Sequence, residues 1–122
     1  MDKHRKVIFL REVKMEITFE NNRDALYIRL IGELDHHAAK NIGEKMDFEI
    51  FLRSPKTVYL DFDALSFMDS SGLAVVMGRR RACAAVGAQL VLENLKGSIQ
   101  KVFLMSGIQK YVKIKEKIYE GK

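Results

Sequence analysis

The sequence predicts an α/β fold: a single domain with a mixed sheet of four to five strands covered by α-helices. Three observations carry that expectation. The chain opens with two alternating segments around a turn; β-rich and helix-patterned segments then take turns toward its end. With 122 residues, 48% hydrophobic and 30% charged, it is long enough for one core and too short for two.

Lys14 to Glu20 alternates weakly as a first strand, and Asn21-Asn22-Arg23-Asp24 supplies turn residues. Ala25 to Ile31 sets Leu26, Ile28 and Leu30 against Tyr27, Arg29 and Ile31, a second strand closing at Gly32. From His36 to Arg53, Ala39, Ile42, Met46 and Ile50 recur at helical spacing, with Asp35 as N-cap. Ser54-Pro55 breaks that helix.

Thr57 to Phe62, with Val58, Tyr59 and Leu60, reads as a largely buried strand. A helix from Ser71 to Val86 ends at Gly87. Ala88 to Glu93 is a further strand, and Gly97 to Ser106 a short helix stopped by Gly107. Tyr111 to Lys115 is a last edge strand whose lysines discourage unwanted pairing. Strands separated by helices imply parallel connections, and functional groups then gather where strand ends lead into helices. Asp35 and Asp69 both stand at such points and are expected at the same end of the molecule.

Composition narrows the function. The single cysteine, Cys83, excludes an internal disulfide, and no apolar run has transmembrane length. The basic start carries no small-residue cleavage site, so no signal peptide is expected. A net charge of +5 is spread over Arg79-Arg80-Arg81 and the lysines at 110, 113, 115 and 117. No recognition motif accompanies it, so a solvated basic surface is expected rather than direct nucleic-acid or membrane binding. Arg80 is expected to lay its stem along the apolar stripe of its helix. Met68, Met77 and Met105 read as core filler.

The chemistry concentrates in Ser66-Phe67-Met68-Asp69-Ser70-Ser71-Gly72-Leu73, read as the junction between a strand and a helix. A helix start leaves N–H groups unpaired and carries partial positive charge, so it tolerates a dianionic phosphate. Asp69 or Ser70 as a plain cap accounts for the run; so does a cap that also displays a regulated hydroxyl. With Asp69 as cap, Ser70 is the first helical residue and faces solvent. Gly72 leaves room for another chain to approach. A phosphate-cradling glycine loop is missing, so the site is expected to receive a phosphoryl group rather than transfer one. Asp35-His36-His37 places its histidines in different directions, a poor metal pair. Ser70 or Ser71 as nucleophile, with His36 or His37 as base, lacks the Gly-x-Ser-x-Gly elbow. No catalytic, cofactor or metal residue is assigned.

Leu60-Asp61-Phe62-Asp63-Ala64-Leu65-Ser66-Phe67-Met68-Asp69-Ser70-Ser71-Gly72-Leu73 resembles the signature of STAS domains, specifically the anti-sigma factor antagonists. Gly32-Glu33-Leu34-Asp35-His36-His37 narrows the resemblance to the sporulation branch in spore-forming Firmicutes, and Phe103-Leu104-Met105-Ser106-Gly107-Ile108 fits the same family. The resemblance implies a non-catalytic cytoplasmic switch. The dephosphorylated antagonist binds an anti-sigma factor, itself a serine kinase, and so releases the sigma factor. Phosphorylation of Ser70 ends that binding, and a PP2C-type phosphatase restores it. Asp35, Asp69, Ser70, Ser71 and Gly72 would form the partner contact.

The alternatives are an antagonist in a stress-response pathway and a serine hydrolase. Ala74 stands where the family usually has glycine, and Glu116 to Lys122 leaves little for a final helix. The expected domain is 15–118, with 1–14 an extension and Met15 a candidate start.

Overall fold

The computed structural model describes residues 3–11 and 14–115. Its elements in chain order are β1 (Lys3–Leu10), β2 (Met15–Asn22), β3 (Ala25–Leu34), α1 (His36–Arg53), β4 (Thr57–Asp61), β5 (Leu65–Met68), α2 (Ser71–Val86), β6 (Gln89–Glu93), α3 (Gly97–Ser106) and β7 (Lys113–Ile114). A 3₁₀ turn at Ile108–Lys110 joins the last two. One mixed sheet runs β1-β2-β3-β4-β6-β7, with β5 paired to β3 beside β4. The first two pairings are antiparallel and the rest parallel.

The mixed sheet and its helices are as expected, but among the described residues it has seven strands where the sequence reading has four to five. Both additions lack a clean alternating signal. The sequence pattern assigns residues 3–10 no element, yet β1 pairs with β2 along its whole length, from Lys3 opposite Asn22 to Leu10 opposite Met15. The junction segment is not an immediate strand-to-helix step either. Leu65–Met68 forms β5, whose two middle residues are exposed and whose outer two are buried.

The core lies between the sheet and its helices. Met15, Ile17 and Phe19 of β2, Leu26, Ile28 and Leu30 of β3, and Val58 and Leu60 of β4 are buried on one face. They meet Ala38, Ile42, Met46 and Ile50 of α1 and Val75, Val76 and Cys83 of α2. Each such aliphatic side chain contributes about 1.5–3 kcal/mol when fully buried. The opposite face carries Tyr27 stacked on Tyr59 at 4.8 Å. Phe103 of α3 meets Phe62 edge-on at 5.3 Å.

Helix ends follow local chemistry. Ser54 takes a left-handed φ of 45° and donates its N–H to Ile50, after which Pro55 prevents continuation. Gly87 ends α2 at φ 74°.

Two side-chain expectations need correction. Arg79, not Arg80, lies in the stripe of α2, because the buried positions run 72, 75, 76 and 79, a face the sequence reading placed one residue too late. Its Nε sits 2.9 Å from Asp47 Oδ1 of α1. Burial lowers the Arg79 pKa, and the Asp47 charge opposes that shift. Gly43 of α1 leaves the space the guanidinium occupies. Arg80 points outward, donating to the Tyr111 carbonyl at 3.1 Å and lying over its ring. Met105 is 86% exposed, so it is not core filler; Met68 is.

Residues 116–122, which leave little for a final helix, and the end of the 15–118 domain fall outside the described residues.

Candidate functional site

Strand register builds the site. Leu34 at the end of β3 lies beside Met68 at the end of β5, so Asp35 and Asp69 leave the sheet as neighbours. The Asp69 N–H donates to the Leu34 carbonyl at 3.2 Å, which ties the two exits together.

That register depends on Gly32. Here β3 shifts register as it turns from β4 to β5, with φ at 112° and the Gly32 N–H donating to the Ala64 carbonyl. The Ser66 hydroxyl donates to the Gly32 carbonyl at 2.9 Å and pins the start of β5.

Asp35 caps α1, its Oδ1 accepting the Ala38 N–H at 2.8 Å. Asp35→Ala is expected to cost about 1 kcal/mol of stability through the lost cap, measured by chemical denaturation. Asp69 does more. Its Oδ2 accepts the His36 N–H at 3.2 Å and its Oδ1 the Ser71 N–H at 2.8 Å. One carboxylate therefore clamps the first turns of both α1 and α2. The Ser71 N–H bond chiefly holds its pKa below the ordinary value of 3.8, helped by the Ser71 hydroxyl and His36 and opposed by slight desolvation. A depressed carboxylate stabilises the fold above its unfolded pKa, so the clamp is intact at neutral pH and weakens in acid as pH falls below that value.

Ser70 occupies the N-cap position, one residue earlier than the reading that made it first in the helix. Its backbone is already helical (φ −63°, ψ −14°), which points its side chain away from a capping bond; Asp69 supplies that bond instead. The Ser70 hydroxyl is exposed and makes no cap hydrogen bond. Ser71 is half-buried, its Oγ 3.5 Å from His36 Nδ1. That separation is long for direct proton transfer.

Gly72 is buried, and the room it leaves is filled by Met68 of the same chain: a Cβ there would collide with that thioether. Gly72 shapes the site by letting the α2 start settle onto β5. Ala74, two residues on, is exposed. His37 is exposed, and its backbone carbonyl accepts from the Asn41 side chain. Among the described residues no three His, Cys, Asp or Glu side chains converge as a metal site, and no helix is long and apolar enough to cross a membrane.

The sequence reading missed Phe67, half-exposed three residues before Ser70, and the His36 amide as a partner of Asp69. Phe67 escapes notice because β5 does not alternate; the His36 contact follows from register alone.

A STAS domain model matches residues 16–121. Over 86 residues the chain is 43% identical to an anti-sigma F factor antagonist of Lysinibacillus sphaericus, covering 70% of this chain and 74% of that one. The structure of the anti-sigma factor antagonist SpoIIAA in its unphosphorylated form superposes with a TM-score of 0.62 at 32% identity, covering 94% and 90% of the two chains. The phosphorylated form of the Bacillus cell fate determinant SpoIIAA gives 0.60 at 33% identity, covering 93% of each.

Proposed function

The chain belongs to the STAS-domain family, and from that premise we propose that Ser70 is its phosphoacceptor, set in a surface that docks the anti-sigma factor. The protein is an anti-sigma factor antagonist and binds an anti-sigma factor. In the proposed cycle that partner is a serine kinase. It docks on Asp35, Asp69, Ser70 and Ser71, with Gly72 contributing through its backbone, and the bound sigma factor is released. Transfer of a phosphoryl group to Ser70 ends the contact, and a PP2C-type phosphatase removes it. Sporulation is the setting in this reading and the cytoplasm its place. Residues 15–118 are the family's domain and 1–14 an addition that supplies β1.

One observation carries the proposal: the Ser70 hydroxyl is exposed and uncapped beside a carboxylate already committed to two helix starts. Phosphate there adds about −1.5 to −2 charges at a helix N-terminus, which accepts them, so the fold survives. A protein packed over the same spot would have to desolvate that charge next to Asp69. The STAS family is regulatory, and we assign this chain no catalysis of its own.

Incubation with the kinase and ATP is expected to add the mass of one phosphate, and Ser70→Ala to abolish the gain. Loss of the gain in Ser71→Ala alone would refute the assignment. Co-purification with a stress-response kinase instead of the sporulation one would move the chain to that pathway.

A further inference from the structure

We propose that β1 and the outer stripe of α1 form a two-fold interface through which a second copy of this chain binds. Two separate features of the fold meet there, away from Ser70.

The first is a strand whose outer side is open among the described residues. β1 stands at the edge of the sheet, and its eight residues pair on one side with β2. Edge strands usually deter pairing with charge. Here the charge is already answered from within: Lys6 Nζ lies 2.7 Å from Glu49 Oε2, and Arg5 lies 3.4 Å from Glu20. What the strand then presents is Val7 and Phe9, the latter 71% exposed.

The second is an apolar stripe on the adjacent helix. Phe48, Phe51 and Leu52 are each more than half exposed and share one face of α1 at i, i+3, i+4. Lys6 lies 5.5 Å from the Phe48 ring, so the stripe flanks the β1 edge. An antiparallel β1 pair would bring two α1 helices side by side and cover both stripes.

Register selects one pairing. A two-fold axis through Val7 sets Val7 opposite Val7, Lys6 opposite Ile8 and Arg5 opposite Phe9, over residues 4–10. An axis through Lys6 would oppose two lysines, and one through Ile8 would shorten the pairing. Val7 and Phe9 stand on the sheet face away from α1 and meet only their cross-strand partners. Phe48, Phe51 and Leu52 of both copies remove roughly 100 Å² each, about 600 Å² in all. The paired strand edges bring the total toward the roughly 1,000 Å² that a specific interface needs. Phe48 lies twelve residues along α1 from His36, roughly 18 Å at helical rise. Both Ser70 sites would stay open, and the antagonist would be bivalent.

The test is sedimentation equilibrium of the full chain from low to high micromolar concentration. A concentration-dependent species of twice 14.0 kDa is expected. Phe51→Glu, at an exposed position and checked for an unchanged melting temperature, should raise the dimer dissociation constant about tenfold or more. Val7→Cys should form a disulfide-linked dimer under mild oxidation, whereas Thr18→Cys on β2 should not. The native Cys83 is buried, with its thiol pushed up to about 11, and stays silent. A chain that remains monomeric throughout overturns the proposal, as does a dimer indifferent to Phe51→Glu. So does a monomer that sediments with anionic lipid vesicles and loses this in Phe51→Glu, which would make the stripe a membrane surface.

Discussion

Ser70→Asp is expected to weaken binding of the anti-sigma factor by about 100-fold or more while moving the melting temperature by only about 2 °C. The two halves of that result have different causes. In the free protein the new carboxylate stands in water at the start of α2, where the helix dipole favours it and no existing cap bond is displaced. Exposed substitutions of this kind change stability within about 0.5 kcal/mol. In the complex the same carboxylate is pressed against Asp69, whose pKa is already depressed and which stays charged near neutral pH. Like charges brought together at an interface cost several kcal/mol, and two or three of these give the stated loss. Isothermal titration beside a thermal melt reads both. Binding lost together with the fold would mean that Ser70 is a structural residue; binding retained would mean that the docked surface lies elsewhere.

Gly32→Ala is expected to cost about 3–5 kcal/mol. A side chain at φ 112° is strained in itself. The added Cβ would also meet the backbone carbonyl of Lys14, which has no rotamer with which to yield. Relief would require the β2–β3 pairing at Met15 and Gly32 to open or the bulge to move. Either motion carries off the Ser66 bond to Gly32 and the register that sets Met68 beside Leu34. The variant should therefore lose stability and anti-sigma binding together. Gly87→Ala is the internal comparison: its φ of 74° is similarly unfavourable, but nothing lies within 4 Å of a Cβ there. A cost of about 1 kcal/mol is expected at that position. Urea denaturation of the two variants separates the effects, and equal losses would remove the special role given to Gly32.

Much of this architecture is legible wherever local chemistry decides it. α1 and α2 keep the limits that Asp35, Ser54-Pro55 and Gly87 imply, because caps and breakers act on their own neighbours. The central strands are equally plain from their β-branched and aromatic content. β5 is hidden because its pattern, buried at both ends and exposed between, carries no period of two. β1 is hidden because a run of basic residues precedes its apolar ones, and only pairing with β2 gives that segment a shape.

The site divides in the same way. That Asp35 and Asp69 would share an end of the sheet follows from where strands lead into helices. That one carboxylate would hold both helix starts does not, since it depends on the register of β3 against β5. Gly72 shows the limit well: the sequence suggests room for a partner, and the fold gives that room to Met68. Arg79 and Arg80 differ by one step of about 100° on a helix, enough to exchange a buried ion pair for a surface contact.

The central claim is that a dianion at Ser70 expels the anti-sigma factor from an otherwise unchanged surface. Its most direct measurement is a titration of the anti-sigma factor with this chain before and after stoichiometric phosphorylation, at matched ionic strength. The account predicts tight binding by the unmodified chain and a loss of about 100-fold or more on phosphorylation, reversed by phosphatase treatment. Equal affinity of the two forms would contradict it.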